Sequence, residues 1–201
     1  MIPKSKYTVP ILITAAIVLT LGITATFVIF EARSSLRELP VLAAVPKFEL
    51  TERNGASFGS QDLQGRISVV DFIFTNCQGP CPIMADNMSE LYRAFAGSNR
   101  VQFVSISVDP ARDSLTVLQE YARRQGVTDT RWEFLRGDMD TIKWLSESGF
   151  MLAADELPAM HSIKFVLVDD KGQIRGYYSG TDKASVNILE THIKELVEDL
   201  P

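Results

Sequence analysis

Residues 67–74 read Ile-Ser-Val-Val-Asp-Phe-Ile-Phe, an almost unbroken β-branched and aromatic run that predicts a strand buried on both faces. Residues 101–108 repeat the pattern and stop at Asp109-Pro110. Between them, residues 82–95 place Ile83, Met84, Met88, Leu91, Tyr92 and Phe95 at helical spacing. Asp113 or Ser114 then caps a helix that carries Leu115, Leu118, Tyr121 and Ala122 on one face. A short strand at 132–135 and a helix at 140–148, ended by Gly149, follow. Residues 163–168 and 174–178 form an antiparallel pair across Asp170-Lys171-Gly172, and residues 184–200 make a closing amphipathic helix. Ahead of all this, Phe48-Glu49-Leu50 and Ala56-Ser57-Phe58 flank Asn54-Gly55, the pattern of a tight hairpin. Such an alternation predicts an α/β domain, a central mixed sheet with helices on both faces, over residues 47–201.

The N-terminal pattern is of another kind. After a short tail, residues 1–8, the segment 9–30 holds 22 consecutive uncharged residues, mostly Ile, Leu, Val, Ala and Thr. As a helix it would span about 33 Å, enough for a hydrocarbon core of roughly 30 Å. A cleaved secretory signal would have a shorter apolar stretch, and a buried soluble helix is the remaining alternative. We therefore expect an uncleaved transmembrane anchor at 9–30 and a stalk at 31–46, where Pro40 and Pro46 interrupt helix. Lys4 and Lys6 face Arg33 and Arg37 across the span, so charge scarcely orients it. The acid-free short end leans inward. The expected location is a bacterial inner membrane, with the body on the periplasmic or outer side.

Charge sharpens this division. The first 46 residues carry a net +2 and the remaining 155 a net −7, within a whole-chain −5. A net-acidic body excludes a basic nucleic-acid binder, so no nucleic-acid partner is expected. Two cysteines in all exclude a disulfide-stapled mini-domain and a four-cysteine zinc module.

Both cysteines fall in Thr75-Asn76-Cys77-Gln78-Gly79-Pro80-Cys81-Pro82, between the end of a predicted strand and the start of a helix. At i and i+4 on a helical turn their Cα atoms would lie about 6 Å apart, close enough for a disulfide. The positive helix end should favour thiolate on at least one of them. Small buried hydrophobes, a structural disulfide, and a reactive or metal-binding pair are the open readings. Of two histidines, His192 reads as an ordinary helix residue, whereas His161 lies in a loop entering the 163–168 strand. Loops at one end of such a sheet gather around a site. Two thiolates and an imidazole would suit Cu(I), which is soft and accepts three ligands, better than zinc. Met84 and Met88 could add thioethers, although methionines at helical spacing usually fill a core.

The residues Val70-Asp71-Phe72-Ile73-Phe74-Thr75-Asn76-Cys77-Gln78-Gly79-Pro80-Cys81-Pro82 resemble the Sco/SenC signature, C-x-x-x-C-P after an apolar strand. Ser107-Val108-Asp109-Pro110-Ala111-Arg112-Asp113-Ser114 is similar to that family's S-V-D-P-x-R-D-[ST] segment, and Met160-His161-Ser162 to its histidine. The resemblance implies a thioredoxin-like, three-layer fold with copper, Cu(I) and also Cu(II), held by Cys77, Cys81 and His161. It further implies a metallochaperone, rather than an enzyme, for the copper A centre of cytochrome c oxidase. The partners implied are the copper A-bearing subunit, other copper chaperones and thiol reductases. The alternative is a thiol–disulfide oxidoreductase with Cys77 and Cys81 as its catalytic pair. Gln78 stands where many members have Pro, and Gly79-Pro80-Cys81 is similar to the Gly-Pro-Cys of thioredoxin. A thiol peroxidase fits poorly, because Val70 and Phe74 occupy the Pro and Thr positions of that motif. Asp109, Arg112 and Asp113 read either as a docking loop beside the metal or as a turn with a helix cap and an ion pair. Asp71, among apolar neighbours, needs a partner or a raised pKa.

Overall fold

The computed structural model describes residues 16–27, 39–77, 79–154, 157–158 and 161–200. The chain divides into two units, Met1–Leu39 and Pro40–Pro201. In the first, residues 16–27 form a helix, α1, whose side chains are exposed. Its threonine hydroxyls bond back along the helix: Thr20 donates to the Ala16 carbonyl, Thr24 to Thr20 and Thr26 to Gly22, each at 3.0 Å. No helix among the described residues is long and apolar enough to cross a membrane. The expected span 9–30 extends past α1 at both ends, and residues 9–15 and 28–30 lie outside the described residues.

The second unit is built on an eight-stranded mixed sheet. Its strands are β1 (Ala43–Ala44), β2 (Glu49–Glu52), β3 (Ser57–Gly59), β4 (Ile67–Ile73), β5 (Val101–Ser107), β6 (Trp132–Arg136), β7 (Lys164–Val168) and β8 (Gln173–Ser179). They lie in the order β1-β8-β7-β4-β5-β6-β2-β3. The two apolar runs become the central parallel pair, in register from Ile67 against Val101 to Ile73 against Ser107. Every residue of both strands is buried, as expected of a strand covered on two faces. β7 runs antiparallel to β4, with Val70 opposite Val166.

Pleat alternation sends Val70, Phe72, Val104, Ile106 and Val166 into one core, where Ile142 and Leu145 of the α4 region (α4, Met139–Trp144) cover them. The helix expected at 140–148 therefore ends early: a single π turn, Leu145–Gly149, completes it. The opposite face carries α2 (Cys81–Ala94), α3 (Leu115–Arg124) and α5 (Lys183–Glu198). There Tyr92 of α2 meets Phe103 edge-on at 5.9 Å, and Tyr121 of α3 meets Phe134 at the same distance. Met84 and Met88 are fully buried in this layer, and the Met84 side chain lies against Gly180. Both methionines fill core.

Gly55, at φ +88°, makes the β2–β3 turn, where the Asn-Gly pair placed it. One strand was not anticipated. β1 lies inside the segment read as stalk, pairing Ala43 with Ile174 of β8, so the sheet begins ahead of residue 47.

At the far side of β6, Glu52 is buried and Glu133 largely so, both beside Arg53, whose Nε lies 3.5 Å from Glu52 and Nη1 3.8 Å from Glu133. Burial, then the neighbouring Glu52 carboxylate, push the Glu133 carboxyl above its usual range. A raised folded-state pKa contributes stability at low pH that is lost as pH rises through it. Glu133→Gln should therefore lose less stability than the parent between pH 6 and 9, by at least about 1 kcal/mol in urea unfolding. Parallel pH profiles would refute this.

Candidate metal centre

β4 ends at Ile73, and the Val108 amide donates to the Ile73 carbonyl at 2.8 Å, so the two central strands leave the sheet together. The chain then turns through Thr75 and Asn76 to Cys77, whose amide donates to the Phe74 carbonyl at 3.4 Å. Pro80 is the N-cap of α2, and Cys81 and Pro82 open its first turn, where no intrahelical partner is lost by proline. Cys81 is buried and Cys77 half-buried, and both are free thiols. His161, three residues before β7, reaches the same point from the adjacent strand.

The ligand atoms of Cys77, Cys81 and His161 all lie within 4.8 Å of one another. Cys81 Sγ is 3.1 Å from His161 Nε2. On the other side of the ring, His161 Nδ1 is 3.1 Å from the Ser162 carbonyl oxygen. A carbonyl can only accept, so Nδ1 carries the hydrogen and Nε2 presents a lone pair to the sulfurs. Burial holds the His161 pKa below its ordinary value, which keeps the ring neutral. Phe74 stands edge-on to the imidazole at 5.4 Å and fixes its plane.

The sequence expectation is a thiolate favoured on at least one cysteine, and Cys81 is not that one. Burial pushes its thiol well above the usual range, and the adjacent Cys77 sulfur adds to the effect, outweighing the helix end. The Cys81 thiol can donate to His161 Nε2. At Cys77 the Gly79 amide donates to the sulfur at 3.4 Å. Two soft sulfurs and an oriented imidazole within 4.8 Å fit a soft, low-coordinate metal ion, with one proton to be displaced at Cys81.

Among the described residues, no other group of three or more His, Cys, Asp or Glu could hold a metal. His192 instead bonds the Tyr178 hydroxyl through Nδ1 at 2.6 Å, away from the sulfurs. Asp109 and Arg112 form the expected ion pair at 3.2 Å. The cap of α3 is Ser114, which accepts from the Val117 amide. Asp113 does not cap; it accepts from Thr75 at the start of the cysteine loop. Asp71 is buried with one partner, the Ser105 hydroxyl at 2.6 Å, and burial raises its pKa to about 7.

Of the residues beside the sulfurs, the sequence marked Phe74, Thr75 and Pro82 only as parts of the motif and did not single out Arg124 and Gln125. Phe74, Thr75, Pro82, Tyr121, Arg124 and Gln125 line a shallow cavity of about 140 Å³ that opens onto Cys77 and Cys81. Tyr121 and Arg124 arrive on α3, whose apolar spacing marked only a buried face.

Comparison with known proteins agrees with this fold. A SCO1/SenC family lipoprotein from Bacillus anthracis is 31% identical, covering 79% of this chain and 97% of its own, with a TM-score of 0.73. BsSco, described as a member of the Sco family of cytochrome c oxidase assembly proteins with a disulfide switch, is 26% identical, covering 79% and 96%, with a TM-score of 0.70. Yeast Sco1 with copper bound is 27% identical, covering 77% and 90%, with a TM-score of 0.60. The mixed α/β architecture is accordingly thioredoxin-like, of the Sco type. With the SCO1/SenC family pattern matched over residues 38–198, spanning the sheet, both cysteines and the histidine, this chain belongs to the SCO1/SenC family.

Proposed function

We propose that this protein is a membrane-tethered copper metallochaperone that serves the copper A centre of cytochrome c oxidase, with Cys77, Cys81 and His161 as the copper ligands. The observation that carries the reading is the convergence of two thiol sulfurs and a neutral imidazole nitrogen within 4.8 Å. Copper is cargo here, taken up as Cu(I) and held until a partner's ligands replace it. A three-donor site of this softness suits Cu(I), and the half-buried Cys77 gives a partner a point of attack. The copper-bound yeast Sco1 supports the metal, and the membership of BsSco among cytochrome c oxidase assembly proteins supports an oxidase recipient.

Tethering rests on the uncharged run at 9–30 and on α1, where threonine hydroxyls satisfy themselves on helix carbonyls as apolar surroundings require. The lipoprotein relative also supports a membrane-held body, which we place outside a bacterial inner membrane. A second reading, thiol–disulfide exchange with a partner's cysteines, is favoured by the closeness of the two sulfurs and uses Cys77 and Cys81 without His161.

One preparation tests both parts. The full chain should remain with membranes after alkaline extraction. Anaerobic titration in detergent should then give one Cu(I) per reduced chain and none once Cys77 and Cys81 are joined. Extraction as a soluble protein would remove the tether, and absence of Cu(I) uptake by the reduced form would leave only thiol exchange.

A further inference from the structure

We infer that Asp113 is a positioning residue that sets the geometry of the cysteine loop from the neighbouring strand end. Its carboxylate is almost completely buried and meets three donors. Oδ1 accepts the Thr75 hydroxyl at 2.6 Å, and Oδ2 accepts the Thr75 amide at 3.2 Å. Oδ2 also accepts the Ser107 hydroxyl at 2.6 Å. Thr75 is thus gripped by both backbone and side chain two residues before Cys77.

The grip is itself braced. Ser107 closes β5, and its hydroxyl oxygen accepts the Asp109 amide at 3.1 Å. The Asp113 amide donates to the Asp109 carbonyl at 2.9 Å, folding the Asp-Pro turn back on the carboxylate. Ser114, the next residue, caps α3, which presents Tyr121 and Arg124 to the cavity over the sulfurs. One side chain therefore ties the cysteine loop to β5 and to the helix that walls the site. Charge-assisted bonds of this length are short and directional, so they fix position as well as add stability. Beyond Thr75, the bonds within the loop among the described residues are long: Cys77 N–H to Phe74 and Gly79 N–H to Cys77 Sγ, each at 3.4 Å. Without Asp113 little else would keep Cys77 at its distance from Cys81 and His161.

Residues that orient a metal's ligands from outside typically change affinity by 10- to 100-fold. The copper readout rests on the proposed function; a metal-free readout does not. In the full chain without metal, Asp113→Ala should speed amide hydrogen exchange at Thr75 and Cys77 at least about tenfold, leaving α5 and β7 amides unchanged. A purely stabilising role would instead raise exchange throughout the domain. In competition with a Cu(I) chelator, affinity should fall about 10- to 100-fold with two thiols per chain still titrating. Thr75→Val, which removes only the hydroxyl, should lower affinity several-fold and add nothing to Asp113→Ala, whereas Asp113→Asn, with one acceptor oxygen left, should stay closer to the parent. If Asp113→Ala does not fold, Thr75→Val decides alone through its loop exchange. Unchanged loop exchange in either variant, or full additivity of the two, overturns the inference. Loosened loop exchange with no Cu(I) uptake by the parent chain would sustain it while sinking the copper reading.

Discussion

In the full chain, Cys81→Ser is expected to abolish stoichiometric Cu(I) binding, lowering affinity more than about a hundredfold. Outer-shell changes alone reach that size, and this one removes a donor. Cys81 is the most enclosed of the three candidate ligands, and its sulfur sits 3.1 Å from His161 Nε2. A serine oxygen in its place is a hard donor and does not ionise near neutral pH, so Cu(I) exchanges a soft thiolate for a poor neutral ligand. The same substitution leaves Cys77 without a partner for an internal disulfide, so a thiol exchange reaction would stop at the mixed disulfide between Cys77 and its target. His161→Ala separates the two activities. It should weaken Cu(I) binding while leaving the Cys77–Cys81 pair able to oxidise and reduce. Chelator competition and thiol counting on both variants give the comparison. Cys81→Ser binding one Cu(I) with parental affinity would exclude Cys81 as a ligand, and His161→Ala doing so would reduce the site to the two sulfurs.

The convergence of Cys77, Cys81 and His161 was legible because each sits where a sequence pattern changes: the cysteines where a β-branched run gives way to helical spacing, the histidine in a loop before the next strand. Loops at one end of a sheet converge, so local reading was enough to bring together residues 80 positions apart. The role of Asp113 was not legible. Asp-Pro followed by Asp-Ser is the language of turns and caps, and Ser114 does cap α3. Nothing local indicates that Asp113 turns inward to a threonine 38 positions away. β1 escaped notice for a related reason. Val-Leu-Ala-Ala-Val between Pro40 and Pro46 carries no alternation, and its two alanines become strand where β8 offers an unpaired edge. The high thiol pKa of Cys81 was missed because a helix start favours thiolate while burial opposes it, and only packing shows which is larger.

Asp71 gives the second large expected effect, and it runs against the usual sense for a carboxylate. It lies in β4 opposite Ser105, 1% exposed, with its carboxyl pKa raised to about 7 by burial although the Ser105 hydrogen bond opposes the rise. The Trp132 indole N–H in turn donates to Ser105 Oγ at 2.9 Å, so the hydroxyl is committed to pointing its hydrogen at Asp71. In an unfolded chain the same carboxyl would titrate near 3.8. The folded state therefore holds a proton that the unfolded state releases, and stability falls as pH climbs from about 4 to about 7. A shift of about three pKa units corresponds to a loss on the order of 4 kcal/mol across that window. Asp71→Asn keeps an oxygen for Ser105 and discards the ionisation. Its stability relative to the parent should rise by a few kcal/mol between pH 4 and pH 7 and then level off, read as urea midpoints at closely spaced pH values. Parent and variant profiles that stay parallel would mean that the buried carboxyl is relieved by an unseen neighbour. The charge of Asp71 is also among the influences that hold Cys81 protonated. Burial and the neighbouring Cys77 sulfur are the larger of these influences, so Asp71→Asn should leave the Cys81 thiol protonated across the same pH range.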